Sequence, residues 1–207
     1  VVLGLCVMFG FPLFWTLMSS FKTPAEMASF PPVIIPNIFQ WANYNNVLLI
    51  PRIPVTIWVM NSTIVVTLTT LGTLITASVV AYSFARFDYR GRDALFMITL
   101  ATMMLPAEVT LIPQFVLFYK LGWINTLKPL WVPAWFGGGA FAIFLMRQFF
   151  LSLPRDLDEA ALIDGANYFR IFWSILLPLC KPILATLGII TLIGSWSDFI
   201  GPLIYLN

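Results

Sequence analysis

Apolar runs about twenty residues long alternate along this chain with shorter polar stretches. Residues 1–20 are apolar apart from Thr16 and two terminal serines, and Pro12 is a candidate kink. Further runs cover residues 58–85, 94–112, 130–150 and 183–206. Each is close to the ~20 residues that a helix needs to cross a bilayer. The third run contains Pro106 and Glu108, the fourth Gly137-Gly138-Gly139, and the fifth is interrupted by Gly194, Asp198, Gly201 and Pro202. The pattern predicts an all-α, polytopic helical bundle of about five spans. It is read as one transmembrane domain, residues 1–207, with a cytoplasmic two-helix loop at 151–182. The start at Val1, inside an apolar run, predicts a truncated N-terminus.

The polar stretches differ in kind. Residues 21–57 are rich in Pro, Asn and aromatic residues and carry Lys22, Glu26 and Arg52; Trp41 and Tyr44 suit a membrane–water interface. Residues 86–93, RFDYRGRD, form a short charged hairpin. Residues 113–129 form a mixed connection with Lys120, Asn125 and Lys128. In the second run Thr69, Thr73, Ala77, Ala81 and Ala85 place a small side chain at every fourth position. Such a ridge lets another helix approach closely.

Residues 151–182, LSLPRDLDEAALIDGANYFRIFWSILLPLCKP, break the apolar pattern most strongly. Arg155, Asp156, Asp158, Glu159, Asp164 and Arg170 fall here, in a chain with only 10% charged residues. In hydrocarbon each would cost about 2.5–3.5 kcal/mol, so the stretch belongs in water. Pro154 suits a first helical turn. Asp156, Asp158 and Glu159 favour the positive end of a helix dipole. Asp164-Gly165 predicts a stop, and Asn167 a cap for a second helix through Leu176 or Leu177. Pro178 and Pro182 then predict a break. On the first helix Leu157, Ala160 and Ala161 share one side; Leu162 and Ile163 fall on another, near Arg155 and Glu159. Apolar residues on both sides predict contact with two bodies, the bundle and a soluble partner.

Composition narrows the class. The chain is 60% hydrophobic with mean hydropathy +0.92, against about 45–50% apolar in soluble domains. Histidine is absent, which excludes an H-E-x-x-H zinc protease. Cys6 and Cys180 are far apart and predict no disulfide framework. A net charge of +2 without a basic cluster points to no nucleic-acid partner. There is no G-x-x-x-x-G-K-[ST] phosphate loop, so no catalytic residue, cofactor or metal is assigned to this chain. Seven cations, Arg86, Arg90, Arg92, Arg147, Arg155, Arg170 and Lys181, flank the second connection and the 151–182 loop. Four, Lys22, Arg52, Lys120 and Lys128, flank the other two. The bias predicts that the 151–182 loop faces the cytoplasm.

Glu159-Ala160-Ala161, then Gly165 after three residues, then Ile175, Leu177 and Pro178 after nine more, resembles the EAA loop of ABC importer permeases. The ordered set SFKTPAEM, WANYNNVL, RFDYRGRD, LPAEVTLIPQF, LGWINT and WSDFIGPL is similar to the sugar-importing, maltose-permease-type family, in its smaller permease subunit. The resemblance implies a multi-pass permease of the bacterial cytoplasmic (inner) membrane with five or six spans, so that a sixth span is expected to be missing and the chain truncated at both ends. Its implied partners are a second permease subunit, a cytosolic ATPase dimer holding ATP and Mg, an extracytoplasmic solute-binding protein, membrane lipid and a small-molecule substrate, a sugar. It assigns ATPase coupling to Glu159, Ala160, Ala161, Asp164, Gly165, Ala166, Ile175, Leu177 and Pro178.

Asn61, Glu108, Trp196 and Asp198 are candidates for the translocation path, because ionisable groups inside spans usually face a bundle interior or wet cavity. Capping of kinked backbone near Pro106 and Pro202 accounts for the same residues. An ion-coupled secondary transporter and an ABC permease for a non-sugar solute remain as alternatives.

Overall fold

The structure, a computed structural model, describes residues 2–50 and 54–206. Arg52, one of the cations in the orientation count, lies outside them. The helices are α1 (Val2–Ser20), α2 (Pro24–Met27), α3 (Ala42–Leu48), α4 (Val55–Arg86), α5 (Arg92–Ala101), α6 (Ala107–Lys120), α7 (Lys128–Trp131), α8 (Ala140–Ser152), α9 (Asp156–Ile163), α10 (Tyr168–Arg170), α11 (Leu177–Leu179), α12 (Lys181–Trp196) and α13 (Ile200–Tyr205). Among the described residues there is no strand, so the all-α expectation holds.

Two segments, Val55–Arg86 and Lys128–Ser152, are long and apolar enough to cross a membrane outright. Two more qualify if each bent pair is one span: Arg92–Met104 with Ala107–Lys120, bent by 98°, and Tyr168–Leu179 with Lys181–Trp196, bent by 75°. Apolar α1 is shorter. The third run is therefore not one helix ending at Ile112. A 3-10 turn at Thr102–Met104 gives way to extended backbone at Leu105 (φ −79°, ψ 120°), and α6 starts after Pro106. Proline Cδ pushes the preceding residue out of the helical region, which places the break. Pro113 lies inside α6 instead of opening the connection; its fixed φ suits a helix, at the cost of one backbone bond.

Contacts gather into two compact units, Val1–Val59 and Met60–Asn207. In the first, the Pro- and Asn-rich stretch is knitted together. Thr23 and Glu26 form a capping box on α2, each side chain bonding the other's backbone N–H. Glu26 Oε1 also accepts from the Asn37 backbone N–H (3.0 Å) and side chain (2.9 Å). These N–H donors hold the Glu26 carboxyl below its ordinary value. Asn43 Nδ2 donates to the carbonyls of Ser20 and Lys22, and Phe21 is ringed by Phe39, Trp41 and Tyr44. Lys22, one of the loop's cations, is buried, with its ammonium 3.9 Å from the centre of the Trp15 ring. A cation over an indole face is a favourable partner once water is excluded.

The second unit holds the main core. Ala77, Ala81, Tyr82 and Ala85 of α4 meet Ala142, Ile143, Met146 and Phe150 of α8, with Ile171, Phe172, Leu176 and Leu187. The small-residue ridge is thus a packing surface. Thr73, Ala77, Ala81 and Ala85 are all buried. Opposite them the chain turns through Gly137, Gly138 and Gly139 with φ of +102°, +66° and +87°. A Cβ on Gly138 would lie 2.6 Å from the Thr73 carbonyl oxygen and 2.9 Å from Ala77 Cβ. Hydroxyls of α4 extend the seam: Thr69 Oγ1 donates to the Leu130 carbonyl (3.3 Å) and Thr76 Oγ1 to that of Ala134 (3.2 Å).

Candidate functional site

The 151–182 loop builds a short helix whose two sides have different fates. α9 starts at Asp156 with Arg155 as N-cap, so Pro154 lies just outside the helix and not in its first turn. Asp156, Asp158 and Glu159 occupy the first turn, where the exposed N–H groups favour anions. The helix ends as its sequence predicts. Gly165 takes φ +79°. Its N–H bonds the Leu162 carbonyl at 3.0 Å, and that of Ala166 bonds the Ala161 carbonyl at 2.9 Å. This reciprocal pair is the Schellman arrangement, which needs a residue that accepts positive φ.

The inner side of α9 is thin. Ala161 is buried, and Leu157 and Asp158 are half-buried. Ala160, expected on that side, is exposed, along with Glu159, Leu162, Ile163 and Asp164. Ile163 is 87% exposed. Leu162 and Ile163 thus leave apolar surface open on α9 next to the Glu159 carboxylate.

Asn167 caps the next helix by accepting from the Arg170 N–H at 2.8 Å. That rod runs through α10, a π-helical stretch at Ile171–Leu176 and α11. Ile171, Phe172 and Leu176 are buried, and Ile175 and Leu177 pack against the same core. The break expected from Pro178 and Pro182 falls between them as a 75° bend, while Pro178 itself stays helical. It falls at the start of the turn that follows the π stretch, where its missing N–H is tolerated. The break comes at Cys180, and Pro182 opens α12. Of the motif residues, then, Ala161, Ala166, Ile175 and Leu177 face the bundle. Glu159, Ala160, Asp164 and Gly165 lie on the open side, and Pro178 is exposed.

The sequence reading missed what holds α9 to the bundle. Arg86, the last residue of α4, reaches Asp158 with Nε 3.3 Å from Oδ2, and its Nη2 donates to the Leu153 carbonyl at 3.1 Å. Burial raises the Asp158 carboxyl above its ordinary value, against the pull of Arg86. The available signal was a cation ending a ridge of small residues.

The path candidates occupy separate elements. Asn61 is half-buried on α4; Glu108 is exposed in the first turn of α6; Trp196 ends α12 and is exposed. Asp198 Oδ1 accepts from the Gly201 N–H at 3.1 Å and so caps α13, the structural role weighed for it above. None of the four lines the recess of about 460 Å³ between Thr73, Gly138, Phe141, Leu187 and Thr191.

Residues 70–207 match the family described as "Binding-protein-dependent transport system inner membrane component". The chain belongs to that family. It is 34% identical over 191 residues to the diacetylchitobiose uptake system permease protein NgcG of Streptomyces coelicolor, covering 92% of this chain and 62% of that protein. It is also 34% identical over 205 residues to the arabinooligosaccharides transport system permease protein AraQ of Bacillus subtilis, covering 98% of this chain and 72% of the relative. A crystal structure of a bacterial ABC transporter involved in the import of the acidic polysaccharide alginate superposes with TM-score 0.84 at 26% identity, over 100% of this chain and 72% of that one. The chain thus spans less than two thirds of NgcG.

Proposed function

We propose that this chain is a membrane-embedded permease subunit of an ATP-driven carbohydrate importer, with the 151–182 loop in the cytoplasm. Its partners are a second permease subunit, a cytosolic ATPase dimer that holds ATP and Mg, and an extracytoplasmic solute-binding protein. The chain itself performs no covalent chemistry; it couples nucleotide-driven movement to a change of access. A single observation carries this reading: in a member of this permease family, α9 is packed from behind by Ala161 while Glu159, Ala160, Leu162 and Ile163 face outward. Small Ala160 lets a partner surface come close, Glu159 supplies a carboxylate for a basic group, and Gly165 fixes where the helix ends. Likeness to NgcG, a diacetylchitobiose uptake permease, and AraQ, an arabinooligosaccharide permease, supports an oligosaccharide as substrate.

Glu159→Lys tests the reading in the assembled complex. Placing a cation against the partner's basic group weakens ATPase association by about 2 kcal/mol or more, roughly thirtyfold. Membrane insertion stays unchanged, because Glu159 is exposed outside the core. Co-purification of the ATPase and turnover with loaded binding protein are the readouts. Wild-type values for both would remove the coupling assignment.

A further inference from the structure

We propose that Arg86 and Asp158 are the positioning residues that tie α9 to α4, so that a displacement of the loop helix is passed into a membrane helix. The proposal rests on the reading of α9 as the ATPase-contacting helix.

One guanidinium holds both the entry to α9 and its first turn. Arg86 Nη2 bonds the Leu153 carbonyl just ahead of Pro154, and Nε faces Asp158 Oδ2 at 3.3 Å. The two side chains are 5% and 15% exposed. Separating them would leave a buried charge without its partner, which is among the most unfavourable single changes in a fold. α9 and the end of α4 therefore move together.

Neither Nε nor Oδ2 makes a hydrogen bond, so their attraction is Coulombic and falls gently with distance. The directional part of the tie is the bond from Nη2 to the Leu153 carbonyl, since a hydrogen bond weakens steeply with angle. Of the neighbouring charges, Arg155 and Glu159 also act on Asp158, with opposite signs; Arg92 pairs with Asp88 and Asp93, and Arg155 lies 3.9 Å from Asp88. Those carboxylates are largely exposed, and such pairs contribute little. Along the same edge of α4, Tyr82 reaches the Tyr168 carbonyl at 3.4 Å and its ring packs on Phe150 and Phe172. Both helices of the loop are thus gripped by the last turns of α4, whose earlier turns cradle Gly138.

The test uses the complete transporter reconstituted in lipid nanodiscs with its ATPase and loaded binding protein. Asp158→Asn should lower the Tm, because Arg86 loses its buried partner, yet the variant should still assemble with the ATPase and keep basal turnover. Its stimulation by binding protein should fall about fivefold or more, the span of a typical coupling energy. Asp158→Glu, which keeps the carboxylate, should retain stimulation. The exchange of both residues, Arg86→Glu with Asp158→Arg, should recover part of what Asp158→Asn loses. Wild-type stimulation in Asp158→Asn overturns the tie, as does equal loss in Asp158→Asn and Asp158→Glu. Failure of Asp158→Asn to assemble while Asp158→Glu assembles would make the pair a folding contact, and also overturns it. The coupling reading fails separately, if Glu159→Lys leaves ATPase association untouched.

Discussion

Gly138 and Gly165 share a backbone conformation, with φ of +66° and +79°, and almost nothing else. At Gly138 an added Cβ would meet the Thr73 carbonyl oxygen and Ala77 Cβ within 3 Å; at Gly165 it would meet nothing within 4 Å. The first glycine lets a loop lie directly against α4. The second only ends a helix, and leaves that end open. The fold spends close packing where spans must hold each other and withholds it where a partner must find a free surface. The middle and the C-terminal end of α4 follow the same division: small buried residues at Thr73 and Ala77, a clasping cation at Arg86.

The largest expected effect lies at the crowded glycine. Gly138→Ala brings strain of about 1–3 kcal/mol from positive φ. It also brings overpacking of about 1–3 kcal/mol, because the obstacle at 2.6 Å is backbone and cannot swing away. A loss of about 2–6 kcal/mol follows from these two terms. The yield of monodisperse protein in detergent and its Tm should both fall sharply. Gly165→Ala carries only the conformational strain, so its Tm should fall less. Equal Tm values for the two variants would erase the distinction between these regions.

A step below this comes the other side of the same contact. Ala77 is fully buried, and Ala77→Leu should cost about 1–3 kcal/mol by overpacking. Val79, half exposed on the same helix, is the control: Val79→Leu should be near neutral, since surface changes usually stay within about 0.5 kcal/mol. Thermal melting of both in one detergent decides it. Tolerance at 77 with loss at 79 would mean that the ridge does not pack against the glycine loop.

What could be read in advance was local or periodic. The four-residue spacing of Thr69, Thr73, Ala77, Ala81 and Ala85 announces its face without any tertiary knowledge, and Asp164-Gly165 and Asn167 announce helix ends through side-chain and φ chemistry. The misreadings share a cause, the tolerance of proline. Pro106 breaks a helix while Pro113 and Pro178 do not, and the difference depends on whether neighbouring backbone groups find other partners. The Arg86–Asp158 tie was invisible because the two lie on segments joined only by the fold. The burial of Lys22 was invisible for a related reason: nothing in a loop sequence says that Trp15 will cover it. Asp198 was ambiguous in kind, since a capping carboxylate and a path-lining one are the same residue in a string.

The smallest expected change in stability is at Gly165, and there the functional effect should be largest relative to it. Gly165→Val forces a β-branched residue toward φ +79°, at about 1–3 kcal/mol of local strain. No neighbour blocks the new side chain, so the strain can be relieved by giving up the bonds from Gly165 to Leu162 and from Ala166 to Ala161. That relief unwinds the last turn of α9, where Leu162 and Ile163 are exposed. The bundle loses little, because only Ala161 and half-buried Leu157 and Asp158 hold α9 from within. The surface proposed to meet the ATPase, by contrast, loses its shape. Gly165→Asn supplies the discriminating arm, since asparagine enters the left-handed region far more readily than valine. Tm should therefore stay close to wild type in both variants, and binding-protein-stimulated ATP turnover should collapse in the valine variant alone. Stimulation surviving in Gly165→Val would show that the helix end is not used. A fall in Tm as deep as that of Gly138→Ala would show that the open glycine carries the bundle after all.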